Sequence, residues 1–299
     1  MQSPMKILLA VDGSEHSQAA TSLLCDLPLP SGSLIYSLSV LSPLHTYQRP
    51  VLEAALEQAS STLQTTNLDV TTELLVGHPA LEIVEFADQY QPDLIVLGAK
   101  GLRATLGILL GGVAQQVVEL ASQPVLIVRY PYTGIQRILL VTDGSIYSQH
   151  ALEYTTRFSP YPNISVQVMH VLPPPSAAEL LTKSGMLGLH STAPVPMVEI
   201  DEAVSYRDKE TEHAGKELLE KAIKILATSG VKAMSVLQKG DAATEILAYV
   251  KEHEIDLVVA GSRGLSQVRG WIMGSVSRKI VHYAGCSVLI VKGEQDETG

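Results

Sequence analysis

Glycines recur at a fixed spacing in two parts of the chain, each time after an apolar run typical of a buried strand. In the second half they are Gly261, Gly264 and Gly274, and Ser275 and Ser277 follow the last of them. Because glycine has no Cβ, phosphate oxygens can approach its backbone N–H group closely. The first residues of a helix add N–H groups without an intrahelical partner, and the helix dipole favours an anion there. The pattern therefore predicts a loop and a helix start that bind a phosphate chain.

A carboxylate at a second strand end would complete a nucleotide site. Asp143 follows the first strand of the second half, in the sequence Asp-Gly-Ser. It can accept a hydrogen bond from a ribose hydroxyl or an exocyclic amine, while the Ser275 and Ser277 hydroxyls can donate to phosphate oxygens or hold water around Mg²⁺. Ligands of an open parallel sheet bind beyond the carboxyl ends of its strands, so these groups predict a mononucleotide site.

Other interpretations of the glycines can be compared with this one. The chain has no G-x-x-x-x-G-K-[ST] motif of a P-loop and no G-x-G-x-x-G motif opening the first helix of either half. A simpler alternative is that the glycines only mark turns and that Ser275 only caps a helix. The same spacing at Gly98, Gly101 and Gly111 favours the binding site over that alternative.

The chain is an internal duplication. The stretch KILLAVDGSEHSQAA from Lys6 recurs as RILLVTDGSIYSQHA from Arg137, which places Asp143 131 residues after Asp12. The glycine motifs lie 163 residues apart, so the second copy carries an insertion, near residues 172–200. We predict two domains, residues 1–132 and 133–299, joined at the short sequence RYPYTG.

Each copy alternates short β-branched runs with amphipathic helical stretches. The predicted strands are apolar on both faces, as in a parallel sheet covered by helices on each side, which indicates a doubly wound α/β fold. The last strand of each copy, within PVLIVRY and CSVLIVK, is strongly apolar for a sheet edge. Either the two copies pair these edges with each other, or a helix or loop covers each one.

Composition restricts the class of protein. Of the 299 residues, 46% are hydrophobic, which is enough for a sizeable core, and the formal net charge of −10 argues against binding to nucleic acid or an anionic membrane. Cys25 and Cys286 suggest a reducing compartment, without a disulfide framework or a metal site. The apolar run Met5–Val11 is too short for a signal peptide or a membrane span, so we expect a cytoplasmic protein.

Taken together, these motifs resemble those of the universal stress proteins, in a tandem arrangement. The ATP-binding pattern of that family, G-x₂-G-x₉-G-[S/T], is matched by Gly261, Gly264, Gly274 and Ser275, and the Asp-Gly-Ser turn and the DLIV-x-G strand also match. The resemblance implies two flavodoxin-like (HUP-type) α/β domains. Each would have a five-stranded parallel sheet of order 3-2-1-4-5 flanked by helices, with edge-strand dimerisation and, in one subgroup, bound ATP.

The resemblance also implies a set of ligand contacts. Asp143 and Val171 would contact the adenine and ribose, and Arg263 could neutralise phosphate charge. The phosphates would be cradled by Gly261, Ser262, Gly264, Gly274, Ser275, Val276 and Ser277. The corresponding set in the first copy is Asp12, Val40, Gly98, Gly101 and Gly111. There Gly112 and Ala114 replace the two serines, so we expect the first site to be weak or vacant.

The residues leave three functions open. The favoured one is a stress-response module that binds ATP, or ADP or AMP, with Mg²⁺ and changes its protein partner or assembly accordingly, with a homodimer also possible. The second is slow Mg²⁺-dependent ATP hydrolysis, although no nucleophile–base or carboxylate pair stands out by spacing. The third is a structural protein with vestigial pockets.

Overall fold

The computed structural model describes residues 3–66, 68–102, 109–158, 164–174, 197–265 and 273–293, without the side chains of residues 197–208. Residues 175–196, which make up most of the predicted insertion, lie outside the described residues.

The first copy alternates strands and helices in the predicted order. Its elements are β1 (Lys6–Ala10), α1 (Glu15–Asp26), β2 (Leu34–Leu41), a 3₁₀ segment (Pro43–Gln48), α2 (Arg49–Gln64), β3 (Asp69–Val76), α3 (Pro79–Tyr90), β4 (Leu94–Gly98), α4 (Gly112–Leu120) and β5 (Val125–Val128).

The second copy repeats this order. Its elements are β6 (Arg137–Val141), α5 (Ile146–Thr155), a short 3₁₀ turn (Thr156–Phe158), β7 (Ser165–Leu172), α6 (Met197–Thr228), β8 (Ala233–Lys239), α7 (Ala242–Glu252), β9 (Leu257–Gly261), α8 (Ser275–Tyr283) and β10 (Ser287–Val291).

The strands form one sheet in the order β3-β2-β1-β4-β5-β10-β9-β6-β7-β8. Within each copy the pairing is parallel and follows the order 3-2-1-4-5, which confirms the predicted fold class. β5 and β10 pair antiparallel, with Leu126 opposite Leu289. Of the two alternatives for the apolar edge strands, the structure therefore has the one in which they pair with each other.

Burial on both faces explains the apolar strands. In β1, Ile7 and Leu9 belong to one core layer and Leu8 to the other, and all three are fully buried. Both layers continue through β5 and β10 into the second copy. The two copies therefore share one continuous pair of cores, with helices on each face.

Serines start the first helix of each copy. The hydroxyl of Ser14 accepts a hydrogen bond from the N–H of Ser17, and that of Ser145 accepts one from Ser148. Each cap follows a glycine with positive φ, +83° at Gly13 and +82° at Gly144. The Asp-Gly-Ser sequence thus sets the turn that leads from the first strand into its helix.

Arg129, directly after β5, binds the second copy. Its guanidinium donates to the carbonyl oxygens of Val281 (2.8 Å) and His282 (3.4 Å), at the C-terminal end of α8, and to Cys286 O (3.2 Å). It also donates to Leu109 O, close to the start of α4 in its own copy. A cation at a helix C-terminus satisfies open carbonyl groups and complements the helix dipole.

Lys292, directly after β10, makes the reciprocal contact. Its Nζ donates to Val118 O in α4 at 2.6 Å. Burial lowers the pKa of Lys292 to about 8, and the nearby charge of Arg263 lowers it further while Glu119 opposes the shift. Each copy therefore binds the last helix of the other through the cation that follows its own last strand.

None of the helices in the described ranges is both long and apolar enough to cross a lipid bilayer.

Candidate functional site

A cavity of about 300 Å³ lies in the second domain at the carboxyl ends of β6, β7 and β9. Nine sequence-predicted residues line it: Asp143, Val171, Gly261, Arg263, Gly264, Gly274, Ser275, Val276 and Ser277. Ser262 lies behind them and is buried; its N–H donates to Val291 O and its carbonyl accepts from the N–H of Gly274. The main chain of Ser262 is therefore used by the fold itself.

The first glycine of the motif is required by helix packing. A Cβ on Gly261 would lie 2.6 Å from the main-chain carbonyl of Tyr147 and 2.9 Å from the nitrogen of Ser148, both in α5. In the first copy, a Cβ on Gly98 would lie 2.7 Å from the carbonyl carbon of His16 in α1. These glycines let the first helix of each copy pack directly on the end of the neighbouring strand.

The second glycine makes room for the aspartate. Asp143 Oδ1 accepts a hydrogen bond from Ser145 N and Oδ2 accepts one from Leu265 N, both at 3.0 Å. A Cβ on Gly264 would lie 2.5 Å from Oδ2. Asp143 therefore joins the turn after β6 to the glycine loop. Since a carboxylate can accept about four hydrogen bonds, it keeps the capacity to accept from a ligand.

The third glycine, Gly274, is the N-cap of α8, and no close contact within the protein requires a glycine there. Its φ is −68°, and an added Cβ would come no closer than 3.4 Å to the glycine loop, which is ordinary contact. The N–H of Gly274 donates to Ser262 O at 2.8 Å. The next three N–H groups, of residues 275–277, have no carbonyl partner within the helix and stand at the edge of the cavity.

The two serines of α8 differ in what their hydroxyls contact. Ser277 is buried and its hydroxyl donates to Gly261 O at 2.7 Å, which fastens α8 to β9. Its one proton is therefore used by the fold, not by the phosphate that the sequence suggested. Ser275 is exposed at the cavity and remains the serine whose hydroxyl can reach a ligand.

Arg263 is held beside the cavity by an aromatic ring. Its guanidinium carbon lies 5.6 Å from the centre of the Tyr147 ring, and Nη1 donates to the Tyr147 hydroxyl at 3.3 Å. Packing against the ring limits the freedom of a side chain that would otherwise be solvated. The geometry thus keeps a positive charge next to the start of α8.

Several lining residues were not identified from the sequence. His170, at the end of β7, donates from Nδ1 to Thr142 O at 2.8 Å and faces the same space as Val171. Ala242 and Ile246, in α7, add an apolar wall. Their spacing of four residues on an amphipathic helix was the available signal, but it does not distinguish a cavity wall from ordinary core.

The first domain has the corresponding cavity, of about 550 Å³, and its predicted residues line it: Asp12, Val40, Gly98, Gly101 and Gly111. Asp12 repeats the aspartate geometry, accepting from Ser14 N and Leu102 N, both at 3.0 Å. Gly112 and the buried Ala114 occupy the places of the two serines. The architecture is therefore duplicated, while the groups at the helix start are not.

Within the ranges that the structure describes, no three His, Cys, Asp or Glu side chains are grouped to hold a metal ion.

These features define the class of the molecule: a two-domain α/β protein whose duplicated cavities open at the carboxyl ends of parallel strands. A model of the universal stress protein family matches residues 4–129 and again residues 134–292. The chain belongs to the universal stress protein family.

Known relatives cover either one copy or both. Universal stress protein YxiE of Bacillus subtilis is 33% identical over 156 residues, which is 52% of this chain and 98% of YxiE. The crystal structure of a universal stress protein from Archaeoglobus fulgidus is similar over 98% of both chains, with a TM-score of 0.67 and 20% identity. A universal stress protein solved in complex with cAMP is similar over 42% of this chain and 97% of its own, with a TM-score of 0.36 and 28% identity.

Proposed function

We propose that the second domain binds ATP, and also ADP or AMP, and that the protein acts as a nucleotide-dependent binding or switch module. The observation that carries this proposal is the start of α8. Three N–H groups without an intrahelical partner face a cavity beside the held guanidinium of Arg263. An anion is stabilised at a helix N-terminus by these groups and by the helix dipole.

The charge balance at the cavity supports an anionic ligand. Asp143 is the acid among the described residues that line it, and both of its oxygens already accept main-chain N–H groups. Its negative charge is therefore partly compensated before a ligand arrives. The remaining lone pairs can accept from a ribose hydroxyl or from the adenine amine, as the sequence suggested.

The opposite wall suits a base. Val141, Val171 and Ile246 present apolar surface at the strand ends, away from the polar start of α8. A flat, partly apolar ring can be buried against such a wall while its charged end reaches the helix. A nucleotide satisfies both requirements, with its base on the aliphatic side and its phosphates at residues 274–277.

Mg²⁺ would enter with the nucleotide. Among the described residues that line the cavity there is one carboxylate, so phosphate oxygens and water would supply most of the Mg²⁺ ligands. The hydroxyl of Ser275, at the start of α8, could assist. We propose binding without turnover, because Asp143 is the one carboxylate among the described lining residues and no second carboxylate stands beside it to form an acid–base pair. Steady phosphate release by the wild type, lost in the Ser275→Asp variant described below, would instead support the ATPase alternative.

A matched pair of variants tests the site. Ser275→Asp places a carboxylate at the start of α8, where it favours the helix but repels phosphate, so we expect Mg-ATP affinity to fall by at least about tenfold without loss of folding. Gly112→Asp places the same charge at the equivalent position of α4 and should leave that affinity unchanged. The measurement is isothermal titration calorimetry with Mg-ATP, together with thermal denaturation. Loss of Mg-ATP binding in Gly112→Asp but not in Ser275→Asp would place the nucleotide in the first domain and contradict the proposal.

The switch itself has a separate test. Nucleotide content and 260 nm absorbance of freshly purified protein show whether a nucleotide is carried through purification. Light scattering and partner capture, with and without Mg-ATP, then show whether assembly or protein contacts respond to it. If the protein binds ATP in the second domain but neither its assembly nor its protein contacts respond, the proposed switch is wrong and only the binding site remains.

A further inference from the structure

The cavity of the first domain lies at the same place in its copy as the cavity of the second domain. Its volume is about 550 Å³ against about 300 Å³, and much of its lining is aliphatic: Leu38, Val40, Leu52, Ile83 and Leu97. A cavity of this size and composition is in the range that takes drug-sized, partly apolar ligands.

Apolar side chains also stand exposed around this cavity. Leu44 is 87% exposed, Leu102 44% and Val113 38%, and all three line it. Leu44 belongs to the 3₁₀ segment between β2 and α2, whereas Leu102 lies within the glycine motif and Val113 follows it. Neighbouring exposed aliphatic groups around a hollow are typical of a surface that an apolar ligand covers.

Lysine and histidine side chains also reach the cavity of the first domain. Lys100, His45 and His78 line it, and His78 stands at the start of α3 without making a side-chain cap. Asp12 is the acid among the described lining residues, and both of its oxygens accept main-chain N–H groups. An apolar ligand that also carries a negative charge would find a partner for that charge.

The same cavity offers a triphosphate fewer hydrogen-bond donors than the second cavity does. The start of α4 offers Gly112, Val113 and Ala114, without the hydroxyl that Ser275 presents in the second domain.

We propose that the cavity of the first domain binds an amphipathic monoanion, a molecule with an apolar body and one carboxylate head group, such as a medium-chain fatty acid. The apolar body lies against the aliphatic lining and the head group lies towards Lys100 and the histidines. This proposal rests on the residues that line the first cavity and does not depend on nucleotide binding in the second domain.

Calorimetry with three probes of equal chain length tests the ligand class on the full-length protein. Decanoate should bind at least about tenfold more tightly than 1-decanol, because Lys100 pairs with its head group, and decyltrimethylammonium should bind most weakly. Equal affinity for decanoate and decanol, or no decanoate binding, overturns the proposal.

Variants then place the site. Gly112→Asp introduces a carboxylate at the cavity where an added Cβ has nothing within 4 Å, so the protein should fold and decanoate affinity should fall by about tenfold. Lys100→Gln should also weaken decanoate binding while leaving decanol unchanged. Ser275→Asp, in the other domain, should leave decanoate binding intact. If Mg-ATP displaces decanoate from the Ser275→Asp variant, the first cavity is a nucleotide site and the proposal is wrong.

Discussion

Hydrogen-bond partners decide what each polar residue of the second cavity can still do. Ser277 looks equivalent to Ser275 in the sequence, but the third position of α8 faces β9, so its hydroxyl is used by Gly261 O. Asp143 is likewise held by the turn that follows it. The groups that remain available to a ligand are the N–H groups of the first turn, the Ser275 hydroxyl, the Arg263 guanidinium and the remaining lone pairs of Asp143.

Substitution of the two serines should therefore affect different properties, stability for Ser277 and Mg-ATP binding for Ser275. Ser277→Ala removes a buried hydroxyl and leaves Gly261 O without its donor, so the free energy of unfolding should fall by about 1 kcal/mol with little change in Mg-ATP affinity. Ser275→Ala should weaken Mg-ATP binding with little change in stability. Urea denaturation and calorimetry on both variants provide the comparison. If Ser277→Ala weakens ATP binding more than Ser275→Ala, the assignment of the two hydroxyls is reversed.

Secondary structure elements were the most predictable level of this molecule. The alternation of strands and helices, and the repeat of Lys6–Ala10 in Arg137–Val141, follow from short-range patterns, whereas the strand order was expected only from the family resemblance. The pairing of β5 with β10 could not be chosen over a covering loop, because apolarity alone does not specify which surface buries a strand. The contact of Arg129 with Val281 spans 152 residues, beyond any periodicity.

The candidate site was predictable in position but less so in the role of each residue. The predicted residues of both cavities, Ser262 excepted, line them, because strand ends and glycines can be located from sequence. The reasons for the glycines could not be found in the same way. A side chain at Gly261 would collide with α5 and one at Gly264 would collide with Asp143. These contacts exist only in the folded chain. Which ligand binds there, and where one domain ends and the next begins, stay predictions.

At the level of the helix, Ser14 has a larger role than capping. Its hydroxyl accepts from Ser17 N at 3.2 Å and donates to Lys100 O, in the glycine loop, at 3.1 Å. Ser14→Ala should therefore lower the free energy of unfolding by about 1–2 kcal/mol, at the upper end of the range for a helix cap. Ser22→Ala, at an exposed interior position of the same helix, is the control and should be neutral or slightly stabilising. Equal stability of the two variants in urea denaturation would show that neither the cap nor the contact with the loop contributes.

At the level of the whole molecule, the two domains are joined as a pseudo-symmetric pair. The antiparallel β5–β10 contact removes two apolar edges, and Arg129 and Lys292 each bind the last helix of the opposite domain. These helices, α8 and α4, begin at the two cavities. A ligand at the start of either helix is thus connected, through one rigid helix, to a cation that belongs to the other domain.

Lys292 makes this joint sensitive to alkaline pH. Burial lowers its pKa to about 8 in the folded protein, against about 10.4 for a lysine in an unfolded chain. Between these two values the unfolded chain holds a proton that the folded chain has lost, so the contribution of Lys292 to stability rises with pH across this window and is constant below it. The wild-type free energy of unfolding, minus that of Lys292→Met, should therefore increase by about 1 kcal/mol per pH unit between pH 8 and 10. Lys224→Met, at an exposed position of α6, should leave the pH dependence as it is in the wild type. Urea denaturation at several pH values gives these differences directly. Parallel curves for the wild type and Lys292→Met would mean that Lys292 stays protonated at the joint, with Val118 O and Glu119 together compensating its burial.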